Sequence, residues 1–190
     1  MAHVQNNIFL RGLSGSVGEQ FVIRRTRSGR TIIANMPTFD PEREYTDSQK
    51  KHQALFRRAT TYAKLAQNQP AYRQKAAGTG ATAYNLAVAD YFGKPEILDI
   101  DISMWTGQPG QKIYIKAQDN FMVVRARLVI RPNSEDYDAL DGGAAIQSTT
   151  NGLLWEFTTT QTIELAPGMQ LDAYAYDLPG NLGKDSLVLS

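Results

Sequence analysis

The chain has no cysteine, which removes disulfides, thiolate-bound zinc, iron–sulfur clusters and a cysteine nucleophile together. That absence fits a reducing compartment. Histidine is nearly absent too: His3 lies in the terminus, and His52 follows Lys50 and Lys51 on a helical pattern, where an imidazole is ordinarily just solvated. Gly-x-Ser-x-Gly, His-Glu-x-x-His and the phosphate-loop signature are all missing. Catalysis needs an acid, base or nucleophile held near a partner, so the sequence predicts no enzyme, no cofactor and no metal. No apolar run reaches about 18 residues, and the opening MAHVQNNIFLRGLSGSVG lacks a basic segment followed by an apolar stretch of signal-peptide length. Neither a secretion signal nor a membrane span is expected.

Net charge is also scarce, at +1 over 190 residues, but it conceals a division. Residues 1–80 carry 13 Lys and Arg against 5 Asp and Glu, whereas residues 81–190 carry 7 against 14. Such asymmetry suits a nucleic-acid face, and it equally suits a basic part of one copy meeting the acidic part of another. The positive charge is densest in FVIRRTRSGRTII, which places Arg24, Arg25, Arg27 and Arg30 around the turn at Arg27-Ser28-Gly29-Arg30.

What is present in quantity is apolar residues, 42% of the chain, enough to bury a core without crosslinks. The first segment reads as β: a short run over Asn7–Leu13, a flexible turn over Ser14–Gly18, then strands over Gln20–Thr26 and Thr31–Asn35. A ribbon of fewer than about 35 residues cannot enclose a core and must pack on something else. After the Pro37 and Pro41 connector, Thr46 and Gln49 have capping-box spacing and open a helix to about Gln67. Its expected buried stripe is Leu55, Ala59, Tyr62, Ala63 and Ala66, with Lys50, Lys51, Arg57, Arg58 and Lys64 largely off it. Pro70 opens a short second helix that Gly78 ends. Thr82–Phe92 forms a third, with Tyr84, Ala87, Val88 and Tyr91 on one side, and Gly93-Lys94-Pro95 marks a domain boundary. The period then changes to two: Leu98, Ile100 and Ile102; Ile113, Ile115 and Ala117; Val124, Ala126, Leu128 and Ile130. Asn151-Gly152 signals a hairpin, Pro167-Gly168 a type II turn before Met169–Tyr176, and Pro179-Gly180-Asn181 precedes a last strand over Ser186–Ser190. The expected architecture is α+β. Residues 1–94 form a β-hairpin with two to three helices, and residues 95–190 form an all-β sandwich.

Ile113–Ile130, IYIKAQDNFMVVRARLVI, and the ending LDAYAYDLPGNLGKDSLVLS resemble the opening and closing strands of bacterial immunoglobulin-like domains. In those domains an Ala-x-Asp-x-x-Gly-Asn turn precedes the final strand, and Ala175-Tyr176-Asp177-Leu178-Pro179-Gly180-Asn181 matches it. The residues agree with such a turn: Asp177 and Asn181 can satisfy loop amides, and Gly180 can take a left-handed backbone angle. The whole order is also similar to uncharacterised proteins of Bacteroidota bacteria, a likeness that implies no activity. The resemblance implies an immunoglobulin-like sandwich over roughly residues 96–190. By association with phage and phage-tail-like particles, it also implies a structural role.

Several motifs compete for a function. Gly78-Thr79-Gly80-Ala81-Thr82-Ala83 fits a loose dinucleotide fingerprint, but a helix precedes it where a strand is required, so a helix–helix turn is expected. Asp136, Asp138 and Asp141 lie close enough in sequence for calcium. Gln147 stands at the twelfth position of that loop, however, and a solvated loop ending in a bulge at Asp141-Gly142-Gly143 is the favoured reading. Trp105, Tyr137 and Trp155 are candidates for a glycan, with Trp155 read rather as core. The arginines are read as an assembly surface: Arg24, Arg25, Arg27, Arg30, Arg57 and Arg58 meet carboxylates of an adjacent copy, and Ile8, Leu10, Phe21 and Ile23 supply buried area. The expected partners are further copies of the chain and other particle proteins, with phosphates of nucleic acid as the alternative for the same arginines. Synthesis in the cytoplasm and residence in a virion-like or extracellular particle follow from that reading.

Overall fold

The computed structural model describes residues 2–4, 12–26, 29–38, 40–133 and 138–190. They form four strands, three helices and seven further strands, a mixed α and β chain that divides into compact units at Met1–Lys50 and Lys51–Ser190. The three helices therefore group mainly with the second sheet, while the ribbon stands in its own unit. Gly93-Lys94-Pro95 is a link inside the second unit instead of its border.

The first unit is a four-stranded antiparallel sheet of β1 (Ala2–Val4), β2 (Gly15–Val17), β3 (Phe21–Arg25) and β4 (Thr31–Asn35), in the order β1-β4-β3-β2. The β3 and β4 strands fall where the alternation places them, joined by a turn in which Gly29 has φ +80°. The Ser14–Gly18 segment, expected as a flexible turn, contributes β2 instead, because Gly15, Ser16 and Val17 pair with Ile23, Val22 and Phe21. Gly18 and Glu19 both have φ 56°, the left-handed pair of a hairpin turn whose twist matches its strands. Of the run expected over Asn7–Leu13, residues 7–11 lie outside the described residues, and Gly12 and Leu13 are not in a strand.

Helix α1 (Asp47–Ala66) starts at the expected capping box: Gln49 N donates to Thr46 Oγ1 at 3.3 Å, and Thr46 N donates to Gln49 Oε1 at 3.1 Å. Ala59, Ala63 and Ala66 are buried along it, but Leu55 is 40% exposed and drops out of the expected stripe. The buried face is narrow and lined by alanine, so the helix is held at close range along a strip too slim to take Leu55. Helix α2 (Pro70–Ala77) begins on its proline and is capped by Gly78. Thr82 caps α3 (Ala83–Phe92), its Oγ1 accepting from Asn85 N at 3.1 Å. The Gly78–Ala83 stretch thus joins two helices, as its context requires.

The remaining strands are β5 (Glu96–Asp101), β6 (Lys112–Gln118), β7 (Val123–Arg131), β8 (Asp141–Gln147), β9 (Leu154–Thr158), β10 (Gln170–Asp177) and β11 (Leu182–Val188). They are hydrogen-bonded in the order β11-β10-β7-β8-β9-β6-β5, with every pairing antiparallel. Strand β8 changes neighbours along its length, Asp141–Ala145 pairing with β7 and Ile146 and Gln147 with β9. Side chains from β5, β6 and β9 and from β7 and β10 share one core that includes Ile113, Ile115, Leu128, Ile130, Trp155, Phe157 and Leu171.

Two expected inward positions are reversed. A register shift between Ile97 and Asp99 puts Ile97 and Ile100 inside and leaves Leu98 41% exposed. At the start of β7, Val123 is buried and Val124 is 41% exposed, opposite the irregularity at Tyr176 and Asp177. An extra residue in a strand inverts the side-chain alternation beyond it. The Asn151-Gly152 hairpin forms, but Gly152 is not in the left-handed region, so its loop is not the tight turn that the dipeptide suggests. Gly168 and Gly180 do take the expected positive φ, at 88° and 92°. The last strand begins at Leu182, earlier than the expected Ser186, because Asn181 is the last residue of the turn.

Candidate functional site

The expected assembly residues are divided by the strand geometry. Successive residues of a strand point to opposite faces. Arg24, opposite Ile32, and Arg25, opposite Thr31, therefore lie on opposite sides of the ribbon. Phe21, Ile23 and Arg25 share a face, and Val17 pairs with Phe21 at its edge. Arg24, Arg25, Arg30, Arg57 and Arg58 are exposed, and none of them has a carboxylate within ion-pair distance among the described residues. Ile23 is buried within the structure, so it supports the ribbon and offers no free area. Ile8, Leu10 and Arg27 lie outside the described residues, as do Asp136 and Tyr137.

The glycan and calcium readings fare differently. Trp105 is 4% exposed and belongs to the same core as Trp155, so neither indole faces solvent. Asp141 is buried and fully occupied. Its Oδ2 accepts from Thr160 N at 2.6 Å and Gln161 N at 3.2 Å, and its Oδ1 accepts from Thr160 Oγ1 and Gly142 N, both at 2.8 Å. It fastens the start of β8 to the loop after β9, while Asp138 is exposed. Gly142 and Gly143 continue the β7 pairing in register without the expected bulge.

A different acidic constellation forms where the helices meet the sheet. Ala63, Ala66, Tyr72 and Ala87 make a small core that extends onto Phe121, in the loop after β6, and Leu178, in the turn after β10. Tyr72 and Phe121 rings lie 4.5 Å apart, centroid to centroid. Asp90, one turn after Ala87 on the same helix face, is carried into this region and is completely buried. Asp119 arrives on the loop after β6, its Oδ2 accepting from Phe121 N at 3.0 Å and Met122 N at 3.1 Å. Asp177 ends β10 and folds its turn, accepting from Asn181 N at 2.6 Å and from Asn181 Nδ2 at 2.7 Å. One oxygen from each of the three carboxyls lies within 4.8 Å of the others.

The polar groups around the cluster leave it short of donors. Tyr72 donates to Asp90 Oδ2, and the Tyr62 and Tyr72 hydroxyls are 2.9 Å apart. Asp90 Oδ1 and Asp119 Oδ1 are buried and receive no N–H or O–H from any other described residue. No Lys, Arg or His among the described residues lies within ion-pair distance of the three. Burial pushes the Asp90 carboxyl up to about 7; the Tyr72 hydrogen bond opposes the rise, and the charges of Asp119 and Asp177 and a hydrogen bond to the Asp119 carboxyl add to it. Burial likewise raises Asp177 above the usual carboxylate range against the N–H donors of Asn181 and Gly180, with Asp119 adding to it. Burial also raises the Tyr72 hydroxyl, as does its bond to Asp90.

Asn181 ties this end of the sheet to the helices. Its Nδ2 donates to Gly93 O at 2.8 Å and Tyr91 O at 3.3 Å as well as to Asp177. Asn181→Ala removes the donor from two carbonyls at the end of α3 and from a buried carboxylate, and is expected to cost about 2 kcal/mol. Urea unfolding followed by tryptophan fluorescence measures it; an unchanged midpoint would mean that water replaces the amide without loss.

From the sequence, Asp177 stands out only as a turn residue, and neither Asp90 nor Asp119 is singled out. The one signal for Asp90 was a carboxylate set among Leu86, Ala87, Val88 and Tyr91 on a mainly apolar helix. No protein-family model matches the chain, and no curated protein matches it in sequence.

Proposed function

We propose that this protein is a non-enzymatic structural subunit that self-assembles into a repeating particle or filament of the phage or phage-tail-like kind, its N-terminal ribbon docking on a neighbouring copy. The observation that carries the reading is the poverty of the ribbon's own core: among residues 12–26, 29–38 and 40–50 only Ile23 is buried. Leu13, Val17, Phe21, Met36 and Tyr45 are each at least 39% exposed. Phe21 and Arg25 share one face, which therefore joins apolar area to a forked cation suited to carboxylates.

A second copy supplies the complementary surface. Glu96, Asp99 and Asp101 are exposed on β5, and Asp99 and Asp101 border a hollow of about 260 Å³ with Tyr114, Lys116 and Leu154. We read the second unit as an immunoglobulin-like sandwich that serves as spacer or outer decoration. The order β5-β6-β9-β8 followed by β7-β10-β11 supports that reading, since it reproduces the ABED and CFG strand sets of such domains.

Light scattering coupled to size-exclusion chromatography over a protein concentration series tests the assembly. The wild type is expected to grow with concentration, and Arg24→Glu with Arg25→Glu to remain monomeric with an unchanged far-ultraviolet spectrum. A wild type that stays monomeric at every concentration would refute the proposal. The same exposed arginines also suit phosphates, and salt-sensitive anisotropy changes with random-sequence DNA or RNA, in a protein that does not self-associate, would favour nucleic acid instead.

A further inference from the structure

We infer that Asp90, Asp119 and Asp177 form a binding site for a calcium-type divalent cation, which pins the end of α3 to the two loops at that end of the sheet. The site is independent of the assembly reading. Three acids brought together from a helix, a loop and a turn are costly neighbours unless something positive lies between them, and the described side chains provide no cation there. Two of the oxygens, Asp90 Oδ1 and Asp119 Oδ1, are buried and receive no N–H or O–H from any other described residue, and Asp90 has no exposed surface at all. The two carboxyls hydrogen-bond only each other across this gap. Buried polar atoms are otherwise almost always satisfied, so two facing carboxyls left to share a proton beside a third mark a place for a cation.

The chemistry of the donors selects the ion. All three residues offer carboxylate oxygen, and the chain has no cysteine. The only described histidine side chain, His52, is exposed on α1 and stacks on Phe92. That set suits a hard cation and not zinc or copper. Coordination habit then favours calcium over magnesium. Magnesium keeps several waters and is usually held through one or two carboxylates in near-ideal octahedral geometry, whereas calcium accepts more protein oxygens in flexible geometry, which suits three carboxyls gathered within 4.8 Å of one another. Asp119 and Asp177 are already oriented by backbone amides and by Asn181, and Asp90 by Tyr72, so the three are held in place before any ion arrives.

The test uses the full chain, stripped with a chelator and titrated with calcium chloride, with magnesium chloride as the comparison. Terbium supplies a second readout, because tyrosines excited in the ultraviolet sensitise a lanthanide held nearby, and Tyr72 is bonded to Asp90. We expect saturable terbium emission that calcium displaces and equimolar magnesium does not. The melting midpoint should rise by about 5–10 °C at roughly a hundredfold excess over the dissociation constant. Asp119→Asn and Asp177→Asn should each weaken calcium binding at least tenfold while far-ultraviolet dichroism stays native. A wild type with neither terbium emission nor a calcium-dependent midpoint overturns the site whatever the variants do. Unweakened binding in folded Asp119→Asn overturns the assignment of ligands, and equal displacement by magnesium overturns the choice of calcium.

Discussion

Gly183→Ala is expected to destabilise the second unit by about 3 kcal/mol, one of the two largest effects foreseen for a single substitution here. Gly183 lies in β11 opposite Ala175, and a Cβ built on it would overlap the carbonyl oxygen of Pro95, just before β5. Because the obstructing atom is backbone, no rotamer change relieves the overlap, and the start of β5 must move away from β11. These two strands are the opposite ends of the seven-strand order, so the glycine is what lets those ends approach. Unfolding in urea can be followed through Trp105 and Trp155, both buried in the shared core. Gly152→Ala is the control: a Cβ there meets only Gln147 Nε2, at 3.8 Å, and its backbone is not left-handed, so the midpoint should barely move. Equal midpoints for the two variants would show that β5 and β11 are not in tight contact.

Asp141→Asn should cost about 3 kcal/mol at neutral pH, since an amide cannot accept all four hydrogen bonds that the carboxylate receives, and charged acceptors contribute more for each bond. Burial alone would raise this carboxyl, but the bonds from Thr160, Gly142 and Gln161 outweigh it and hold the group below the ordinary carboxylate range. A depressed folded value means that the unfolded chain takes up the proton first. The stabilisation is therefore complete above about pH 4, the ordinary carboxylate value, and is lost as pH falls through the lower folded one. The difference between wild type and Asp141→Asn should thus be constant from neutral pH down to about 5 and shrink below about 4. Denaturation curves at a series of pH values read it directly, and a difference that persists unchanged at pH 2 would contradict the linkage.

Local signals were legible in the sequence, and inserted residues and long-range meetings were not. Thr46 and Gln49, Pro70, Thr82, Gly168 and Gly180 each acted as their own chemistry dictates, since caps and turns depend on a few adjacent residues. Leu98 and Val124 went the wrong way because each sits beside a pairing irregularity, and one residue out of step inverts a pattern of period two. Asp141, read from the sequence as part of a solvated loop, is buried instead because Thr160 and Gln161, far along the chain, bond to its carboxylate. The acidic cluster unites positions 90, 119 and 177, and nothing within any one of those segments announces the other two. Arg24 and Arg25 belong to one dense basic stretch of the sequence, but adjacent positions of a strand are the spacing that separates side chains.

Strand β8, hydrogen-bonded to β7 over its first part and to β9 over its last, belongs to both halves of the second unit. Neither half can open its amides without stripping the strand it shares with the other. Hydrogen exchange in β6 and β9 is therefore expected to keep pace with that in β7 and β10, the whole unit breathing as a single foldon.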